Sequence, residues 1–81
     1  MPKAATSVYP DTKTLQLFLR EYAHMLRQAE RDVKRILSLD PETERFWDTL
    51  SESAALFTMI RARSGTIEEE IDNLIEQLPE D

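Results

Sequence analysis

The chain has 81 residues, a formal net charge of −6, no cysteine, one histidine and one glycine. These numbers exclude a disulfide framework and a thiolate metal site within the chain. At this length folding buries only a little over ~60% of the surface that the unfolded chain exposes, so a small core needs a supplement, and oligomerisation is the favoured one.

Residues 1–10 hold one lysine, two prolines and no apolar core of signal-peptide length, so they read as a flexible N-terminal arm and not as a targeting segment. No apolar run approaches the roughly 18–20 residues of a membrane span, and the expectation is a soluble, cytoplasmic protein with no membrane association. Residues 11–79 read as a single helical domain and residues 80–81 as an acidic tail. Charge is segregated along that domain. Residues 11–39 carry six Lys/Arg against four Asp/Glu, whereas residues 40–81 carry three against twelve. Such a split suits self-association, or an anionic partner at one end.

Sustained three- and four-residue apolar spacing and the near-absence of glycine predict an all-α protein. The first helix is expected to start near Pro10-Asp11-Thr12, with Asp11 or Thr12 accepting from first-turn N–H groups, and to run to about Ser38. Its apolar face holds Leu15, Phe18, Leu19, Tyr22, Met25, Leu26, Ala29, Val33, Ile36 and Leu37. On the opposite side Lys13, Arg20, His24, Arg27, Arg31, Lys34 and Arg35 fall in one sector about 100° wide at ~100° per residue. Asp40-Pro41-Glu42 then offers an N-cap, a proline at the first helical position and a carboxylate near the positive helix end, which places the start of helix 2 at Pro41. So short a connection predicts an antiparallel hairpin.

Helix 2 presents Phe46, Trp47, Leu50, Ala54, Phe57 and Ile60, while Leu56 and Met59 mark a flanking surface that is also partly apolar. It is therefore expected to be buried on more than one side. At Ser64-Gly65-Thr66 two signals conflict. Gly65 suits a left-handed cap and Thr66-x-x-Glu69 a capping box, yet the spacing 46-50-53-57-60-64-67-71-74-78 runs on without a slip. The coincidence of glycine and capping box favours a break, followed by a third segment at 67–78 whose seam is Ile67, Ile71, Leu74, Ile75 and Leu78. The expected architecture is an antiparallel helical hairpin, residues 12–38 and 41–63, plus a short third helix, as a three-helix bundle or a dimeric four-helix-like bundle. Its expected buried set is Phe18, Tyr22, Met25, Ala29, Val33, Ile36, Phe46, Leu50, Phe57 and Ile60. Trp47, Leu56, Met59 and the 67–78 seam are the candidate contacts of a homodimer.

The only metal-like spacing is Glu21-x-x-His24, as in carboxylate-bridged di-iron bundles, but both residues lie in or beside the basic sector and away from the apolar face. There is no phosphate-binding glycine loop and no base to pair with Ser51, Ser53 or Ser64, so an enzyme, a metal and a cofactor are all unexpected. Tyr22, Phe46 and Trp47 fall on core faces and not among the arginines, which favours packing over base stacking. The side opposite the seam is acidic, with Glu68, Glu69, Glu70, Asp72 and Glu76; the carboxylates Glu68, Glu69, Asp72, Glu76, Glu80 and Asp81 read first as solubility and helix electrostatics, and phosphate mimicry is their secondary reading. The functional expectation is a non-enzymatic helical interaction protein: an adaptor, assembly factor or regulator whose partner is another protein, itself or both. The alternative is a small nucleic-acid-associated protein that binds phosphates through the basic stripe of helix 1.

Overall fold

Two helices account for the secondary structure in the computed structural model, which describes residues 9–79; the remainder of the expected arm and the acidic tail lie outside these residues. Helix α1 spans Lys13–Leu37 and helix α2 spans Glu44–Glu76. The start of α1 is held as its sequence suggests, with the Lys13 N–H donating to Asp11 Oδ1 at 2.9 Å. At its other end the Ser38 hydroxyl donates to the Arg35 carbonyl at 2.7 Å. The lysine and arginine of its last turn, Lys34 and Arg35, sit at the negative end of the helix dipole.

The second helix begins later than Pro41. Asp40 caps the turn and not the helix: its Oδ1 accepts from the Glu42 N–H at 2.9 Å, and its carbonyl accepts from the Thr43 N–H at 3.0 Å. Thr43 is the N-cap, and its hydroxyl accepts from the Phe46 N–H. Trp47 locks the connector by donating its indole N–H to the Pro41 carbonyl at 2.9 Å.

Gly65 does not break α2, and the expected third helix is the C-terminal half of α2. No glycine among the described residues has positive φ, and a Cβ added at Gly65 would meet nothing within 4 Å. The capping box is not used as one, since the Thr66 hydroxyl donates back to the Ala62 carbonyl at 3.3 Å. One glycine costs a helix only about 1 kcal/mol, which the packing of Ile67 and Leu74 can offset.

The helices pack as an antiparallel pair. Three contacts set the register: Tyr22 with Ser64, Glu21 with Arg63, and Asp32 with Ser53, so that facing residue numbers sum to 84–86. Lettering each seven-residue repeat a to g, the a and d positions of α1 are Leu15, Phe18, Tyr22, Met25, Ala29, Asp32 and Ile36. Those of α2 are Phe46, Thr49, Ser53, Leu56, Ile60, Arg63, Ile67, Glu70 and Leu74. Every one of them is buried or half-buried. Ile67 and Leu74 are the only buried apolar residues among the described ones.

Two members of the expected core are on the surface instead, Val33 at 41% and Phe57 at 39% exposure. Both occupy position e, beside the seam and not in it. Phe18, Tyr22, Met25, Ala29, Ile36, Phe46, Leu50 and Ile60 are half-buried. The radius of gyration is 19.1 Å, against about 12 Å for a compact chain of this length. A lone pair of helices leaves every apolar residue off the seam in contact with solvent.

Candidate functional site

In an antiparallel pair the e rows of the two helices flank the same side of the seam, and the g rows flank the other. The two sides differ sharply here. The g rows are Thr14, Glu21, Gln28 and Arg35 on α1, and Arg45, Glu52, Met59, Thr66 and Asn73 on α2, with a single large apolar member. On this side Arg63 donates to Glu21 and lies 5.7 Å from the centre of the Phe18 ring. A shallow depression there is lined by Phe18, Met25, Met59, Ala62, Arg63 and Thr66.

The e rows are apolar: Leu19, Leu26 and Val33 on α1, and Leu50, Phe57, Ile71 and Leu78 on the α2 side, interrupted by Ser64. The adjoining b rows widen the surface with Ala23 and Leu37 from α1 and with Trp47, Ala54 and Ile75 from α2, and interleave them with Gln16, Glu30, Arg61 and Glu68. Leu37 is 79% exposed and Trp47 57%. Of the twelve exposed large hydrophobics among the described residues, nine share these rows and Tyr9 lines the depression at their open end, while Leu17 and Met59 lie elsewhere. Its breadth is continuous at both ends. Phe46 meets Trp47 edge-on at 5.2 Å beside the connector, and Leu15, Ile71, Leu74, Ile75 and Leu78 line a depression of about 260 Å³ at the open end. Midway, Leu19, Tyr22, Ser64, Ile67 and Glu68 line a third depression.

The composition of α2 shows why this face is not an accident of a hairpin. Its d row, which faces α1, is Thr49, Leu56, Arg63 and Glu70. Its e row, which lies between the seam and solvent with Phe57, Ile71 and Leu78 exposed, is the more apolar of the two. The apolar centre of α2 therefore points between α1 and the open side, as expected of a helix with two neighbours.

Of the expected homodimer contacts, Trp47, Ile71, Ile75 and Leu78 lie on this face. The hairpin itself takes up Leu56, Ile67 and Leu74, and Met59 projects on the polar side. Sequence reasoning did not single out Leu19, Leu26, Val33 and Phe57 as surface residues, although their seven-residue spacing was the available signal.

The basic residues Lys13, Arg20, His24, Arg27, Arg31, Lys34 and Arg35 are all exposed on α1. Lys34 reaches Glu30 at 3.4 Å and Arg35 reaches Asp32 at 3.8 Å. Lys13, Arg20, Arg27 and Arg31 form no ion pair among the described residues. Lys13, Arg20, Arg27 and Lys34 fill the f row, which borders the apolar face along its α1 edge.

Glu21 is held by Arg63 while His24 is exposed, so this Glu-x-x-His spacing does not assemble a ligand pair. Among the described residues no group of three His, Cys, Asp or Glu is placed to hold a metal ion. Among the described residues no helix is long and apolar enough to cross a membrane. In comparisons with known proteins, no family model, curated protein or solved structure matches the chain.

Proposed function

We propose that this protein is a small non-enzymatic interaction module that binds protein through the e/b face of its hairpin, as an adaptor, assembly factor or regulator. The observation that carries this reading is the placement of nine of twelve exposed large hydrophobics on one face. Apolar surface on a monomer is ordinarily scattered, and a contiguous strip rimmed by charge marks a docking site. Burying a Leu, Ile or Phe side chain yields about 1.5–3 kcal/mol, so a partner that covers even half of this strip gains enough to offset the ordering cost of association. The depressions fit the same reading, being lined chiefly by apolar side chains with no cluster of ionisable groups suited to proton transfer.

Arg20, Arg27 and Arg31, which form no ion pair among the described residues, support a second reading, contact with nucleic-acid phosphates. One experiment separates the two. Tagged chain is recovered from its native lysate with and without nuclease, as wild type, as Leu26→Asp/Phe57→Asp, and as Arg20→Ala/Arg27→Ala/Arg31→Ala. The docking reading expects stoichiometric, nuclease-resistant protein that is lost only with the Leu26/Phe57 variant. Recovery of nucleic acid that is lost only with the arginine variant would replace it with the second reading.

A further inference from the structure

We infer that the apolar face is covered by a second copy of this chain, laid on it with both connectors at the same end, so that each α1 lies along the partner's α2. The inference rests on the reading of that face as a docking surface and names its occupant.

Area is the first argument. A face two helices wide and as long as α2 measures about 20 by 50 Å, so a face-to-face pair buries on the order of 2,000 Å² in total, the size of a stable dimer interface. A two-fold pair brings one patch against itself, which requires that patch to be apolar along its whole length. Apolar residues run the length of this face from Trp47 beside the connector to Ile75 at the open end, along an α2 e row broken only by Ser64, with Arg61 and Glu68 on its b edge. The pair completes a four-helix bundle in which the e row of α2 gains the neighbour that its composition calls for.

Charge selects the arrangement. Two hairpins can stack face to face about a two-fold axis in only two ways. An axis across the hairpin sets connectors at opposite ends and lays α1 on α1, which places the f-row cations Lys13, Arg20, Arg27 and Lys34 beside the same row of the partner. An axis along the hairpin sets connectors at the same end and lays α1 on α2. Residues keep their level in that case, and the facing-number rule of the hairpin holds between copies. Lys13 then lies level with Asp72 of the partner subunit, and Arg20 lies about one helical turn, ~4.5 Å along the axis, from the level of the partner's Glu68. The f row of α2, Ser51, Thr58, Gly65 and Asp72, contains no cation. Like-charge juxtaposition penalises the first arrangement, and opposite charge favours the second.

Because the chain lacks cysteine, a single label site is clean. Glu42 is exposed in the connector, and a spin label on Glu42→Cys reads the distance between connectors by pulsed electron resonance. The expected result is twice the 9.4 kDa chain mass by sedimentation equilibrium, with a label separation under about 30 Å. Opposite-end stacking gives about 50 Å, the length of α2 at ~1.5 Å per residue, and would overturn the arrangement. Lys13→Glu/Arg20→Glu is expected to weaken the dimer at least about tenfold and Glu68→Lys/Asp72→Lys in the same chain to restore it. Both pairs are exposed, and circular dichroism verifies their helicity. A charge reversal without effect would overturn the pairing. A monomer at about 100 μM, some hundredfold above the Kd of a micromolar pair, would overturn the second copy as occupant. If Leu26→Asp/Phe57→Asp still abolished protein capture from lysate, that result would leave the docking reading standing.

Discussion

Asp32 and Ser53 occupy seam positions that ordinarily take leucine, and together they show how single residues tune this hairpin. Asp32 is 8% exposed and Ser53 1%. The carboxylate accepts from the Ser53 hydroxyl at 3.3 Å and from the Gln28 amide at 3.2 Å, with Arg35 at 3.8 Å. A charge on a seam needs its partners, so Ser53→Ala should lower stability by about 1–2 kcal/mol. A urea titration checks this, the midpoint falling with unchanged slope. Asp32→Leu/Ser53→Ala removes donor and acceptor together and should leave stability unchanged or raise it by about 1–4 kcal/mol. What it gives up is the fixed register, which should show as broadened side-chain resonances. Asp32 was legible in principle, since it continues the spacing 15-18-22-25-29. Its charge kept it out of the expected core. Val33 entered that core for the opposite reason, because apolar character alone does not distinguish position e from position a.

At the scale of elements, the helices themselves were plain in the sequence, and the boundaries of α1 agree with its cap signals to within a residue. The second boundary misled because Asp40-Pro41 forms a capped turn that resembles a helix start. Gly65 misled because local cap chemistry was weighed above the uninterrupted three-four spacing, and in the structure the packing of the long seam decides. That spacing itself followed positions a and e of α2 and not a and d, since Thr49, Arg63 and Glu70 make the true seam more polar than its neighbour. Gly65→Ala tests the element directly. At a helical site with open space around the new methyl, it should stabilise the protein by about 1 kcal/mol and raise Tm by about 4–8 °C. A lower melting temperature would place a left-handed cap at this residue in solution.

For the whole molecule, covering of the apolar face by a second copy would make stability depend on concentration. Few apolar groups are buried within a single chain, and the seam alone is a small fraction of what a free-standing domain of this size uses. If two copies share their apolar faces, each tenfold rise in protein concentration should raise Tm by about 3–5 °C. Melting curves at about 1, 10 and 100 μM, spanning the Kd of a micromolar pair, would check this. Superimposable curves would mean that the hairpin melts as a monomer.

The six residues between the helices tie one end of the pair together through Asp40, Thr43 and Trp47, while the other end is joined by no covalent turn. Contacts beside the connector close the shortest loops, so pairing should start there and zip outward in microseconds to milliseconds. Opening should follow the same path in reverse. Amide hydrogen exchange should accordingly be slowest between the connector and the Asp32–Ser53 contact and quicken toward Lys13 and Glu76. The molecule then behaves as a clasp hinged at one end, and whatever inserts between its helices enters where α1 begins.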